Sequence, residues 1–278
     1  MRNNHLRSAL LLTALTLTVM SFGLILGGDQ GLKTALVMAL VMNLSAWWFS
    51  ASLVLAQTGA RLVGPEEAPE LHALTAHLAE RARLPMPRLA VVDDPAPNAF
   101  ATGRNPGHAV VAVTTGLLNL LNREELAGVL GHELAHVKNR DILVGSLAAV
   151  MAGAIMFLAS LSRFGSFSGS GRNQGGHQAA ALLFSFLAPM AALIIQAAIS
   201  RSREYLADDG GADIAGTPHG LISALAKLGL RQGQTGREVP AAAHLYIVNP
   251  LNRRSLNNLF ATHPPLEERI ARLRGEII

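Results

Sequence analysis

The chain has 278 residues, half of them apolar and only 15% charged, with a formal net charge of +4 and no cysteine. The charged fraction lies below that of an ordinary soluble domain. The absence of cysteine excludes disulfides and thiolate metal ligands and is compatible with the cytoplasm. The modest basic excess forms no stripe with interleaved aromatics, so it points to topology and anionic-lipid contact, and no nucleic-acid partner is expected.

The apolar residues are clustered. Residues 6–26 carry Arg7 near their start and then no charge, and 34–59, 142–162 and 178–200 are uncharged throughout. At about 1.5 Å per residue each run can cross a hydrocarbon core of about 30 Å. The competing reading for the last two is a pair of buried core helices. Arg2 and Arg7 would suit a signal peptide, but no small-x-small cleavage site precedes Asp29 and a second apolar run follows at once. A retained hairpin is expected, with Gly27-Gly28-Asp29-Gln30-Gly31 as its turn. Lys and Arg flank the runs unevenly. Arg2, Arg7, Arg61, Lys138, Arg140, Arg201 and Arg203 stand on one side, while Lys33, Arg163 and Arg172 stand on the other and run against the asymmetry. The positive-inside rule then puts both termini in the cytoplasm.

Between the second and third runs, 66–84 reads as an amphipathic helix with Leu71, Leu74 and Leu78 on one side, ended by Pro85 and Pro87. Residues 88–92, 99–102 and 108–114 read as strands, separated by Pro- and Asn-rich turns. Asn122 then caps a helix, with Glu125 three residues on as a capping box requires. Leu126, Val129, Leu130, Leu134 and Val137 give that helix an apolar side, and it can run on through Asp141 into the third run. Further on, 200–211 is expected to be helical until Gly210 and Gly211 stop it. Thr217-Pro218 opens another helix. His263-Pro264-Pro265 introduces a last one, with Glu268 and Arg272 as an i,i+4 pair. Residues 166–176 are a Gly/Ser-rich loop without assigned chemistry.

The chemistry gathers on the capped helix. His132 and His136 are four apart and leave one face, and Glu133 stands beside the first. Two imidazoles so placed can hold a metal ion, with the acid in reach of an attacking water. A tetrahedral site with one open position needs a third protein ligand. Glu204 is the candidate, because it leaves the fourth run on the side where His132 and His136 enter the third. Asp208, one turn on, can accept a proton from a ligand histidine. Against this stand helix-surface histidines and a solvated Glu204 paired with Arg201.

These motifs, together with Asn98-Ala99-Phe100 upstream and His263-Pro264-Pro265 downstream, resemble the HtpX-type membrane zinc metallopeptidases, relatives of the CAAX-prenyl endopeptidases. The resemblance covers nearly the whole chain without departure at the motif positions. It implies an α+β, mostly helical membrane protein with four transmembrane helices and a cytoplasmic gluzincin-like zinc domain containing a small sheet. One Zn(2+) would be held by His132, His136 and Glu204, with Glu133 as general base and His263 as donor to the oxyanion. Asp208 and Arg269 would pair behind the ligands. Asn98, Ala99, Phe100 and Ala101 would form an edge strand that binds extended substrate.

The expected organisation is an N-terminal hairpin (1–59), a catalytic segment (60–141), a second hairpin (142–200) and a third-ligand part (201–278). The expected function is endopeptidase cleavage of misfolded or damaged membrane proteins at the cytoplasmic face of the inner membrane, a stress response. The partners are polypeptide substrates and the lipid bilayer, with self-cleavage a further reaction open to such an enzyme. The alternatives are a prenyl-protein processing endopeptidase, which needs more spans than this chain holds, and a non-enzymatic scaffold, which has no use for Glu133. An intramembrane protease is disfavoured, because Lys138, Asn139, Arg140 and Asp141 follow the motif at once.

Overall fold

A computed structural model describes residues 2–152, 201–231, 245–247 and 264–276. The later part of the third apolar run, the whole fourth run, the 166–176 loop and His263 lie outside the described residues.

Helix α1 (Arg2–Trp48) is two arms separated at Gly27 and Gly28, whose backbone angles are not helical. The arms lie side by side. The Asn43 amide donates to Thr16 Oγ1 at 2.7 Å and to the Leu12 carbonyl at 3.3 Å. The expected hairpin is therefore present, but its turn is confined to Gly27 and Gly28, and Asp29, Gln30 and Gly31 already belong to the second arm. That arm counted with its turn glycines, Gly27–Trp48, is 22 residues long with a mean hydropathy of 1.2, enough to cross a membrane, and it is the one such helix among the described residues. Helix α2 (Ser50–Thr58) leads from it into the sheet.

The sheet has four strands, β1 (Arg61–Val63), β2 (Arg88–Val92), β3 (Ala99–Thr102) and β4 (Val110–Thr114), in the order β1-β2-β4-β3. β2 and β4 are parallel, and the other pairs are antiparallel. β1 was not expected, because three residues of which two are exposed carry no alternation to read. The third strand starts at Val110 and not at 108, since Pro106–His108 forms a single 3-10 turn.

Both faces of the sheet are covered, so its central strands are apolar except for Arg88 and Thr114 at their ends. Leu89, Ala99, Ala101, Val111 and Val113 face helix α3 (Pro69–Ala82) and the capped helix α5 (Arg123–Lys138). Ala90, Val92, Phe100, Val110 and Ala112 pack with Ala51, Val54 and Leu55 of α2 and with Tyr246. A short helix α4 (Thr115–Leu120), capped by Thr114, joins β4 to α5.

Helix α5 ends at Lys138 instead of continuing into the next run. Asn139 closes it, Arg140 takes a left-handed conformation (φ 59°), and a new helix, α6 (Asp141–Ala152), begins. Helix α7 (Arg201–Ala215) passes through Gly210 and Gly211, against expectation, and stops at Gly216, whose φ is +91°. The two glycines are contact surface and not a terminus. A Cβ on Gly211 would lie 2.7 Å from the His132 nitrogen, and one on Gly131 would lie 2.6 Å from the Gly211 carbonyl. The α5 and α7 backbones therefore touch beside the first histidine. Helix α8 (His219–Leu230) meets α5 through Gly128 and Gly220 in the same manner, and helix α9 (Leu266–Leu273) closes the described chain. The expected Glu268–Arg272 pair turns elsewhere: the Tyr205 hydroxyl donates to Glu268, and Arg272 lies 4.4 Å over the Tyr205 ring.

Candidate metal centre and active site

Helix α5 is fixed at its first turn. The Glu125 amide donates to Asn122 Oδ1 at 3.0 Å, and the Asn122 amide donates to Glu125 Oε2 at 2.9 Å, a reciprocal cap. Glu125 also accepts from Ser223 Oγ at 2.6 Å and Lys227 Nζ at 2.7 Å, which pins α5 to α8. Burial pushes its carboxyl upward, but the Lys227, Ser223 and Asn122 bonds outweigh this and hold it below its usual value.

Two turns on, His132 and His136 present Nε2 atoms 3.2 Å apart. Glu204, from the first turn of α7, brings Oε1 to 3.6 Å from His136 Nε2 and Oε2 to 3.9 Å from His132 Nε2. The three side chains offer ligand atoms within 4.8 Å of one another. Ligand bonds of about 2.0–2.1 Å at tetrahedral angles place neighbouring donors roughly 3.3 Å apart, so the set suits one zinc ion with a position left open. Two neutral nitrogens and one carboxylate are the donor chemistry of a catalytic rather than a closed structural site.

Each imidazole is held from behind. His132 Nδ1 lies 2.9 Å from Asp208 Oδ1. Asp208 in turn accepts from Arg269 Nε at 2.8 Å and from its terminal nitrogen at 2.6 Å, a bidentate pair. Arg269 has no exposed surface, and it also donates to the Ile247 carbonyl at 3.2 Å. Burial pushes His132 down to about 4, against the pull of Asp208, so its ring is neutral, as a ligand must be. His136 goes the other way. Burial disfavours its charge, but the bond to Asp141 and the charges of Glu204 and Glu133 raise it to about 9. A dication binding at its Nε2 must therefore displace a proton.

Glu133 is 2% exposed and faces β3, where the Ala101 backbone bonds to its carboxylate. Burial, reinforced by Glu204, raises it to about 7 against the opposing charges of His136 and Arg269. β3 is the sheet edge, and all four of its residues are buried. Its Ala99 carbonyl accepts from the Ile247 amide at 3.0 Å, and Phe100 meets Tyr246 edge-on at 5.4 Å. Asn98 is buried at the head of this strand, tied to Thr114.

The structure thus brings together His132, Glu133, His136, Glu204, Asp208, Arg269 and β3. Asp209, next to Asp208, points outward. Sequence reasoning missed Asp141, Ile247 and the glycine contacts. The Asp141 contact depends on a chain break that no local pattern announces. The Ile247 contact joins residues far apart in sequence.

The family model described as peptidase family M48 matches residues 65–277. A protease HtpX homolog of Desulfatibacillum aliphaticivorans is 54% identical over 277 residues, covering 98% of this chain and 89% of that protein. One from Thermococcus kodakarensis is 51% identical over 280 residues, covering 97% of this chain and 94% of its own. Among solved structures, the crystal structure of S. mikatae Ste24p aligns with a TM-score of 0.51 at 18% identity, covering 98% of this chain. The alignment takes in 65% of the Ste24p chain, so this chain spans less than two thirds of that protein, and the likeness is one of fold.

Proposed function

The chain belongs to peptidase family M48 as a homolog of the HtpX proteases, a zinc metallopeptidase with at least one apolar membrane helix, and from that premise we propose that it cleaves misfolded or damaged membrane proteins at the cytoplasmic face of the inner membrane. The observation that carries the reading is the His132, His136 and Glu204 cluster, in a domain that begins where an apolar hairpin ends. A protease so attached works at the membrane surface, where the chains of damaged membrane proteins emerge.

His132, His136 and Glu204 would hold zinc, which would supply a Lewis acid for the scissile carbonyl and acidify the attacking water. Glu133 takes the proton from that water and hands it to the leaving amine. His263 donates to the developing oxyanion. Asp208, held by Arg269, keeps the His132 ring in one tautomer and one orientation. Extended substrate adds along β3 at Asn98, Ala99, Phe100 and Ala101, taking the Ala99 carbonyl from Ile247. Backbone pairing of this kind accepts many side-chain sequences, as disposal of damaged proteins requires.

Removing metal tests the reading. Chain solubilised in detergent and prepared with a chelator should cleave unfolded casein only after zinc is returned, saturating at one zinc per chain. Cleavage that persists in chelator would exclude a metal-dependent reaction.

The finer membrane arrangement rests on the Lys/Arg asymmetry. Four spans, with 142–162 and 178–200 as the second pair, return Glu204 to the side of His132. The chain has no cysteine, so single ones report cleanly. Ser168→Cys should react with an impermeant thiol reagent from outside the cytoplasmic membrane, and Ser255→Cys only after the membrane is opened. Protection of Ser168→Cys in intact cells would favour helices that dip without crossing.

A further inference from the structure

We infer that Asp141 and Arg203 form a positioning pair for the metal centre, fixing the His136 ring and joining the start of α6 to the start of α7 beside Glu204. The inference rests on the reading of His136 and Glu204 as zinc ligands.

The contacts are direct. Asp141 Oδ2 lies 3.1 Å from His136 Nδ1, and Asp141 Oδ1 lies 3.5 Å from the Arg203 guanidinium. The Asp141 and Arg203 side chains are only 9% and 14% exposed, which separates this pair from a solvated surface bridge. His136 thereby matches His132. Each turns Nε2 toward the shared centre and Nδ1 toward a carboxylate, and each carboxylate is met by an arginine, Asp208 by Arg269 and Asp141 by Arg203. Carboxylates so placed fix the tautomer and aim of a ligand ring.

An uninterrupted helix would not allow it. Residues five apart on one helix are turned by roughly 140° relative to each other, at about 3.6 residues per turn. Asp141 reaches back to His136 because the chain breaks at Arg140, which holds φ 59°. For a residue with a Cβ that conformation costs about 1–2 kcal/mol. The Arg140 amide donates to the Val137 carbonyl at the break, and the Asp141 carboxylate just beyond it bonds back to His136 and across to Arg203.

The pair also reaches across the fold. Asp141 is the first residue of α6, and Arg203 lies in the first turn of α7. Glu204 follows Arg203 directly. Pairing Arg203 with Asp141 therefore sets the position of the α7 start that delivers Glu204 to the histidines. A single contact orients one ligand and places another.

Zinc affinity tests the pair, measured on the full-length chain in detergent by competition with a chromophoric chelator. Asp141→Ala should weaken zinc about 10- to 100-fold, the scale for a lost partner of a ligand histidine. Asp141→Asn, which keeps the shape and one acceptor oxygen, should fall between it and the parent protein. Arg203→Ala should weaken zinc on its own but add nothing in the Asp141→Ala background, because it acts through Asp141. Cobalt(II) in place of zinc should show shifted visible bands in Asp141→Asn, a signature that loss of stability alone does not produce. If Asp141→Ala does not fold, the Asn and Arg203 variants carry the test. Zinc affinity within twofold of the parent in Asp141→Asn and Arg203→Ala, with unshifted cobalt bands, would overturn the pair. Normal zinc binding by His136→Ala would instead overturn the ligand assignment beneath it.

Discussion

Glu133→Gln is expected to keep one zinc per chain and to lose about 10²- to 10⁴-fold in peptide cleavage, the range for a positioned general base. The substitution is close to isosteric, and its carbonyl oxygen can still accept the Ala101 backbone bond that Glu133 accepts now. It therefore removes a proton acceptor and little else. Its neighbours His132 and His136 keep their partners Asp208 and Asp141, so the donor set for the metal is intact. The surroundings suit Glu133 to proton transfer. At 2% exposure, burial with the nearby Glu204 carboxylate raises it to about 7. A group near neutrality can both take and return a proton at the same pH. Zinc content and turnover should be measured on the same preparation. Cleavage above roughly a tenth of the parent rate, well outside the general-base range, would remove Glu133 from the role.

What the sequence made legible was whatever depends on local spacing. The Asn122 and Glu125 cap, the shared face of His132 and His136, and the break at Gly27 and Gly28 follow from positions close in sequence, whereas the run 34–59 does not stay one helix: the arm ends at Trp48 and α2 packs on the sheet. Glu204 was found by a different argument, that it follows the fourth apolar run as the histidines precede the third, and it does lie 3.6 Å from His136. Local rules failed where a tertiary contact overrode them. Gly210 and Gly211 read as a helix stop, but in the fold they let α7 run backbone to backbone against α5. Arg140 reads as an ordinary helical residue, yet it breaks the helix in a conformation that favours glycine. Glu268 and Arg272 have the right spacing for an ion pair, but Tyr205 offers one a hydroxyl and the other an aromatic face. In each case the deciding partner lies on another element, where periodicity carries no information.

Arg269 shows the largest consequence of such a partner. Its side chain is fully buried, and Asp208, its partner, is 3% exposed. Burial opposes the charge on both, and each holds the other ionised, so the Asp208 carboxyl stays below its usual value and the Arg269 guanidinium above. Arg269→Met keeps most of the length and apolar volume but strands the Asp208 charge, and it releases the Ile247 carbonyl. Breaking a buried pair from one side costs about 3–5 kcal/mol, so Arg269→Met should lower stability by that amount. Unfolding should be followed without zinc, because a bound ion would add its own linkage to the native state. Pairing the substitution with Asp208→Leu should recover much of the loss, since an apolar pair of similar volume leaves no buried charge. The double variant should still bind zinc about 10- to 100-fold more weakly, because His132 Nδ1 has lost its acceptor. Stability and metal affinity then separate: the arginine serves the first through the carboxylate's charge, and the carboxylate serves the second through the imidazole. An Arg269→Met protein within about 1 kcal/mol of the parent would mean that Asp208 sheds its charge or finds water when the arginine is gone.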